Sequence, residues 1–224
     1  MASAPATTAP RRPAAIAYNL AGLAVIAALV AIGAAYILDF HLSLRRAPPT
    51  TAALTSVVTR NIAGRELKIP YGWFRNGADL KDEFSTQIDL AASFALDGLD
   101  TPVTIDVTLL PRSRVRPGGV LLDTVYVHEF EAETLRGVPG LVGKPLRPAR
   151  GYGGETVWYD PLSPRPFVAK CMAPVGPETP ARCLRTVILP SGIGAVYAFD
   201  ETVLAGWKGF DAVTQRMMTA IGAW

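Results

Sequence analysis

Residues 88–110 read IDLAASFALDGLDTPVTIDVTLL, and this stretch decides the fold. Ile88, Leu90, Ala92 and Phe94 alternate with Asp89, Ala91 and Ser93. Val103, Ile105, Val107 and Leu109 alternate in the same way with Thr104, Asp106 and Thr108. A period of two sends successive side chains to opposite faces, so each run reads as a half-buried strand. Asp97-Gly98-Leu99-Asp100 between them is turn chemistry, and a short turn joins its strands antiparallel.

The same signal continues on both sides. Val57 to Ile62 and Glu66 to Pro70 flank a turn at Gly64 and read as a hairpin. Further strands are expected at Glu155 to Tyr159, Pro166 to Met172, Arg182 to Leu189 and Gly194 to Phe199, with connections as short as Pro190-Ser191-Gly192 implying a meander. Residues 119–134 carry two signals: Val125 and Val127 suit a strand, while the length and Glu129, Glu131 and Glu133 suit a helix, which is the reading adopted. The chain closes on an amphipathic helix, with Val203, Trp207, Phe210, Met217, Ile221 and Trp224 on one stripe and Asp200 as its expected cap. Gly206 and Gly209 inside it cost about 1 kcal/mol each relative to alanine, which predicts close approach to the sheet. The expected fold class is α+β: one globular domain over 57–224, a mainly antiparallel sheet with the C-terminal helix packed on it.

Before that domain, residues 14–38 form 25 consecutive positions without a charge. At about 1.5 Å per residue they reach roughly 37 Å as a helix, against a hydrocarbon layer of about 30 Å. A single transmembrane helix is therefore expected at 14–38, with a disordered tail at 1–13 and a juxtamembrane linker at 39–56. A cleaved secretory signal has a shorter apolar run and an A-x-A-like exit, for which Gly33-Ala34-Ala35 is a poor candidate. One ridge of the helix is alanine at every step: Ala14, Ala17, Ala21, Ala24, Ala28, Ala31 and Ala35. Small side chains let backbones approach in lipid, so the ridge is a candidate contact for another transmembrane helix, of a second copy or of a membrane-complex subunit. The bilayer itself is the other expected partner.

Flanking charge does not orient the span, because Arg11 and Arg12 precede it and Arg45 and Arg46 follow. Cysteine usage does. Cys171 and Cys183 make an even pair on two consecutive strands, and such a pair in an exported domain reads as a disulfide. The N-terminus is thus expected in the cytoplasm and the domain outside it. No asparagine begins an N-x-S/T acceptor, which together with Ala, Pro and Arg richness suits a bacterial inner membrane with a periplasmic domain.

A net charge of +3 does not imply nucleic acid. Of 22 Lys and Arg, four flank the span, and of 19 Asp and Glu one does, Asp39, so the rest carries 18 of each. A nucleic-acid binder would concentrate basic charge on one face. One local basic run goes from Arg112 through Arg114 and Arg116 and resumes at Lys144, Arg147 and Arg150; it reads as solvated loop or as a patch for anionic headgroups.

Catalytic patterns are missing. The chain has two histidines, His41 and His128, and no G-x-S-x-G, no H-E-x-x-H and no glycine-rich phosphate loop. No enzyme, cofactor or metal is expected. The run Gly151-Tyr152-Gly153-Gly154-Glu155-Thr156-Val157-Trp158-Tyr159-Asp160 mixes aromatics with glycines. It reads either as a tight turn that buries Trp158 or as a ligand loop, with Tyr152, Trp158, Arg147 and Arg150 as its contacts. The function expected is an accessory, scaffold or assembly subunit of a bacterial inner-membrane complex. The alternative is a periplasmic domain that binds a ligand or envelope polymer through loop 151–160.

Overall fold

The computed structural model describes residues 13–44, 56–75, 84–174, 176 and 179–224, and side chains of the first range over 21–37. The chain divides into two compact units, Met1–Pro49 and Thr50–Trp224.

The first unit contains one helix, Pro13–Leu44. It is apolar on every side, and the described side chains, Leu23, Val25, Ile26, Leu29 and Val30 among them, are all exposed. Among the described residues no helix is long and apolar enough to cross a membrane. Residues 21–37 supply about 25 Å of helix, less than the hydrocarbon layer of about 30 Å. The expected span over 14–38 thus depends on residues at both ends that lie outside the described side chains. Of the alanine ridge, Ala21, Ala24, Ala28, Ala31 and Ala35 are exposed, while Ala14 and Ala17 lie outside those side chains. The tail to residue 12 and the linker over 45–55 lie outside the described residues.

The second unit is an α+β domain. Its strands are β1 (Val57–Ile62), β2 (Arg65–Pro70), β3 (Ile88–Phe94), β4 (Val103–Pro111), β5 (Val142–Pro145), β6 (Glu155–Tyr159), β7 (Val168–Met172), β8 (Arg182–Ile188) and β9 (Ile193–Asp200). β1 and β2 form the expected hairpin around Ala63 and Gly64, both at positive φ, as a two-residue turn with the right twist requires. The other seven make one sheet in the order β3-β4-β9-β8-β7-β6-β5, antiparallel at every step. β3 and β4 pair through the stretch that opened the reading, Ile88 opposite Leu109 and Phe94 opposite Val103. β5 to β9 are a meander, and β9 then pairs with β4. β5 was not anticipated, because Val-Gly-Lys-Pro is too short for a period and ends in a proline that only an edge strand tolerates. Each edge strand takes an isolated bridge from outside the sheet, Phe74 to Leu90 of β3 and Leu135 to Gly143 of β5.

One face of the sheet carries the main core. Leu90, Ile105, Val107, Ala169, Ala195, Tyr197 and Phe199 are buried there beneath the C-terminal helix, Trp207–Ala220. Phe210 is the pin of that contact, with ring centroids 4.8 Å from Phe199, 5.7 Å from Tyr197 and 5.8 Å from Phe167. Val203, Phe210, Met217 and Ile221 of the expected stripe are buried; Trp207 is half-buried and Trp224 exposed. Asp200 does not cap this helix. A 3-10 stretch, Glu201–Gly206, intervenes, and the Asp200 carboxylate is engaged by Arg182 instead. Gly206 makes the predicted close approach, though to the β3–β4 loop: a Cβ there would stand 3.0 Å from the Asp97 carbonyl oxygen.

Arg185 clamps this helix to the sheet. It donates from Nε and Nη2 to both carboxylate oxygens of Asp211 at 2.9 and 2.7 Å, and its guanidinium lies 4.4 Å over the Phe167 ring. Cys171 and Cys183 stand opposite each other across β7 and β8, both buried, and form the expected disulfide.

On the other face a helical segment covers β5 to β7. It runs through Gly118–Leu121, a π turn at Leu122–Tyr126, and Val127–Glu129. Leu122 and Tyr126 pack there on Leu146, Val157 and Val168. The helix expected to continue to 134 stops at Glu129, because Phe130 turns extended and bridges to Leu146. The remainder of this face, over β3, β4, β9 and β8, mixes charged and hydroxyl side chains (Asp89, Asp106, Thr108, Arg182, Thr186, Asp200) with half-buried Leu110, Leu184, Ile188 and Val196.

Candidate functional site

The open face concentrates its charge at one end of the sheet. Arg182 begins β8 and stands directly opposite Asp200 at the end of β9, while Asp106 of β4 stands opposite Ala198 of β9. Strand alternation puts all three charged side chains on this face. Arg182 Nη1 donates to Asp200 Oδ1 at 2.8 Å, and its Nη2 donates to Asp106 Oδ2 at 2.7 Å. The guanidinium therefore straddles β9, next to the small Ala198. Arg75 adds a looser pair, its Nε 3.7 Å from Asp106 Oδ1.

Arg182, Asp200 and Asp106 floor a cleft of about 510 Å³, walled by Thr101, Thr104, Thr202 and Val203. Arg182 and Asp200 stay partly exposed at 41% and 42%, whereas Asp106 is at 19%. The hydrogen bond to Asp200 holds Arg182 above the ordinary arginine pKa, and the charges of Asp200 and Asp106 add to it against the opposing effect of burial. Polar pairing continues away from the cleft: Ser93 and Thr104 share a hydrogen bond of 2.9 Å, and Thr108 Oγ1 donates to Asp89 at 2.7 Å.

Chemically the cleft is suited to recognition. It offers a cation, two carboxylates and three threonine hydroxyls in a fixed arrangement. His128 lies exposed in the helical segment over β5 to β7. Among the described residues no group of three or more His, Cys, Asp or Glu is placed to hold a metal.

The four residues singled out in and beside loop 151–160 do not converge. Trp158 points into the core, 5% exposed, over Gly143, where an added Cβ would lie 2.7 Å from its ring. Tyr152 is half-buried against the small cluster under the helical segment. Arg150 is exposed and pairs with Glu129 at 3.4 Å, and Arg147 is exposed. The basic run also separates. Lys144 donates to the carbonyls of Ala132 and Glu133 and to Thr134, so it ties a loop to β5. Arg147 and Arg150 follow β5, whereas Arg112, Arg114 and Arg116 follow β4, at the opposite end of the sheet.

Sequence reasoning missed Arg182 and its role. The signal available was Asp106 on the polar row of β4 and Arg182 at the start of a strand. Only the β4–β9 pairing, between segments some ninety residues apart, brings them together.

No family model matches the chain, and no curated protein matches it by sequence. In fold the chain is similar to an immunity protein of the Stenotrophomonas maltophilia type IV secretion system. The match has a TM-score of 0.51 and 12% identity, and covers 75% of this chain and 93% of that one. At that identity the likeness is one of fold.

Proposed function

We propose that this chain is an accessory protein of the bacterial cell envelope that works by binding another protein. Its N-terminal helix anchors it in the inner membrane, and its domain works on the periplasmic side. The cleft around Arg182 engages the partner. The observation that carries this is the cleft itself, where Arg182 is held between Asp106 and Asp200 on an open sheet face with threonine hydroxyls at its walls. Support for the compartment comes from the Cys171–Cys183 disulfide, since such bonds persist where the environment is oxidising. Support for the anchor comes from the 25 uncharged residues and from a helix whose exposed surface is apolar all round, which water does not favour. The alanine ridge on that helix would then face a partner's transmembrane segment or a second copy.

The fold likeness to a secretion-system immunity protein is in keeping with an accessory role beside a secretion system. Affinity purification in mild detergent, of the full-length protein and of a version with its anchor replaced, tests the proposal. A discrete partner retained by both forms and lost on substitution in the cleft is expected. A partner that follows the anchor alone would move the contact to the helix.

A further inference from the structure

Because every neighbouring pair in the sheet is antiparallel, its loops fall into two sets at its two ends. The cleft occupies the end where β4 and β8 begin. At the other end, where β4, β6 and β8 stop, lie the turn Arg112–Arg114 and the 160–167 loop between β6 and β7. The start of the helical segment reaches this loop: a Cβ on Gly118 would stand 3.1 Å from Val168, and one on Gly119 would stand 4.0 Å from the Pro166 ring.

Arg112, Arg114, Arg116 and Arg165 are exposed here. Among the described residues none of the four is in an ion pair; Arg114 donates to the Thr86 carbonyl at 3.2 Å. The nearby Asp160 carboxylate accepts from the Leu162 backbone N–H at 3.0 Å. Leu162 in this loop is 90% exposed, more than any other described large apolar side chain; Val120 is 49% exposed. Three prolines, at 161, 164 and 166, and a bond from Ser163 Oγ to the Arg165 carbonyl stiffen the loop. An exposed leucine alone is ordinary surface. A stiff apolar apex at the same end of the sheet as four exposed guanidinium groups has the composition of a surface that rests on anionic lipid, the charges on phosphates and the apolar tip among headgroups.

We infer that this end of the domain lies on the anionic membrane surface, with Leu162 and Val120 entering the headgroup layer and Arg112, Arg114, Arg116 and Arg165 facing lipid phosphates. The inference rests on the proposed anchor. It also gives the cleft a direction, away from the membrane and toward a partner in the periplasm.

The test uses the full chain reconstituted in phosphatidylcholine vesicles with and without phosphatidylglycerol. An environment-sensitive fluorophore is placed by Leu162→Cys, and in a control by Thr101→Cys at the opposite end. The expected result is a blue shift at position 162, quenched by lipid-borne quenchers, in anionic vesicles only, with position 101 silent. Replacing Arg112, Arg114 and Arg116 by glutamine should lower lipid engagement about fivefold for each arginine removed. No shift in anionic vesicles overturns the inference. So does an equal shift in neutral lipid, or in detergent, which would put another protein on the patch. Flotation with neutral vesicles reports the anchor separately: a chain that fails to float overturns the anchor, while externally added anionic vesicles still report on position 162.

Discussion

Tyr197 is buried to 1% exposure beneath the C-terminal helix, and burial raises its pKa above the ordinary tyrosine value; the Asp211 charge adds to this, while bonding to Thr214 and the Arg185 charge oppose it. Tyr126 is raised too, by burial first and then by the charges of Glu155 and Tyr152. The folded state holds these protons more tightly than the unfolded state. Their contribution is thus complete below the unfolded value of about 10 and declines as pH rises toward the folded value. Urea midpoints measured from pH 8 upward should fall above about pH 10, by up to about 1.4 kcal/mol per pH unit for each tyrosine. Tyr197→Phe should flatten most of that fall. A second residue-scale test concerns Trp158, whose ring leaves no room for a Cβ on Gly143. Gly143→Ala should lower unfolding free energy by about 1–3 kcal/mol, the usual cost of overpacking a core. At this scale much was readable in sequence: alternation assigned Asp106 and Thr108 to the polar face. It did not show that Arg185 lies inside. A guanidinium in the row Cys183–Arg185–Val187 is tolerable only because Asp211 and the Phe167 ring meet it, and those partners come from distant segments.

At the scale of elements, the β7–β8 pair is joined by a long proline-containing loop and closed by the disulfide. Cross-linking residues 12 apart in sequence removes chain entropy from the unfolded state, about 3 kcal/mol on the loop-closure model. Thermal melts with and without a reductant should differ accordingly, and Cys171→Ala with Cys183→Ala should reproduce the reduced protein. The β1–β2, β3–β4 and β8–β9 hairpins were legible because their strands and turns are local, whereas β5–β6 was not, since β5 is too short to show a period. The helical segment over β5 to β7 was legible as helix only to Glu129, since the bridge from Phe130 to Leu146 that ends it is a tertiary contact. The Asp200 cap failed for a similar reason. The carboxylate had a cross-strand arginine within 2.8 Å, and a charge-assisted bond to it competes successfully with a backbone N–H.

At the scale of the whole molecule, the α+β class followed from period two and one amphipathic stripe, but the strand order did not. Pairing β9 with β4 closes a connection of some eighty residues, and no local pattern encodes which strand a returning chain will join. The cleft is a product of that choice, so it was invisible in the sequence, whereas the uncharged run at 14–38 could be read directly. The two partly exposed ion pairs of Arg182 contribute little to stability, about 0.2–1 kcal/mol each. Binding and folding can therefore be separated at this one residue. The decisive measurement is quantitative recovery of the co-purifying protein from membranes that contain full-length wild type or Arg182→Ala at matched abundance, with unfolding curves for both. A discrete partner lost from Arg182→Ala, with stability changed by no more than about 2 kcal/mol, is the predicted result. Equal recovery of that partner by both proteins would contradict a cleft built for protein recognition.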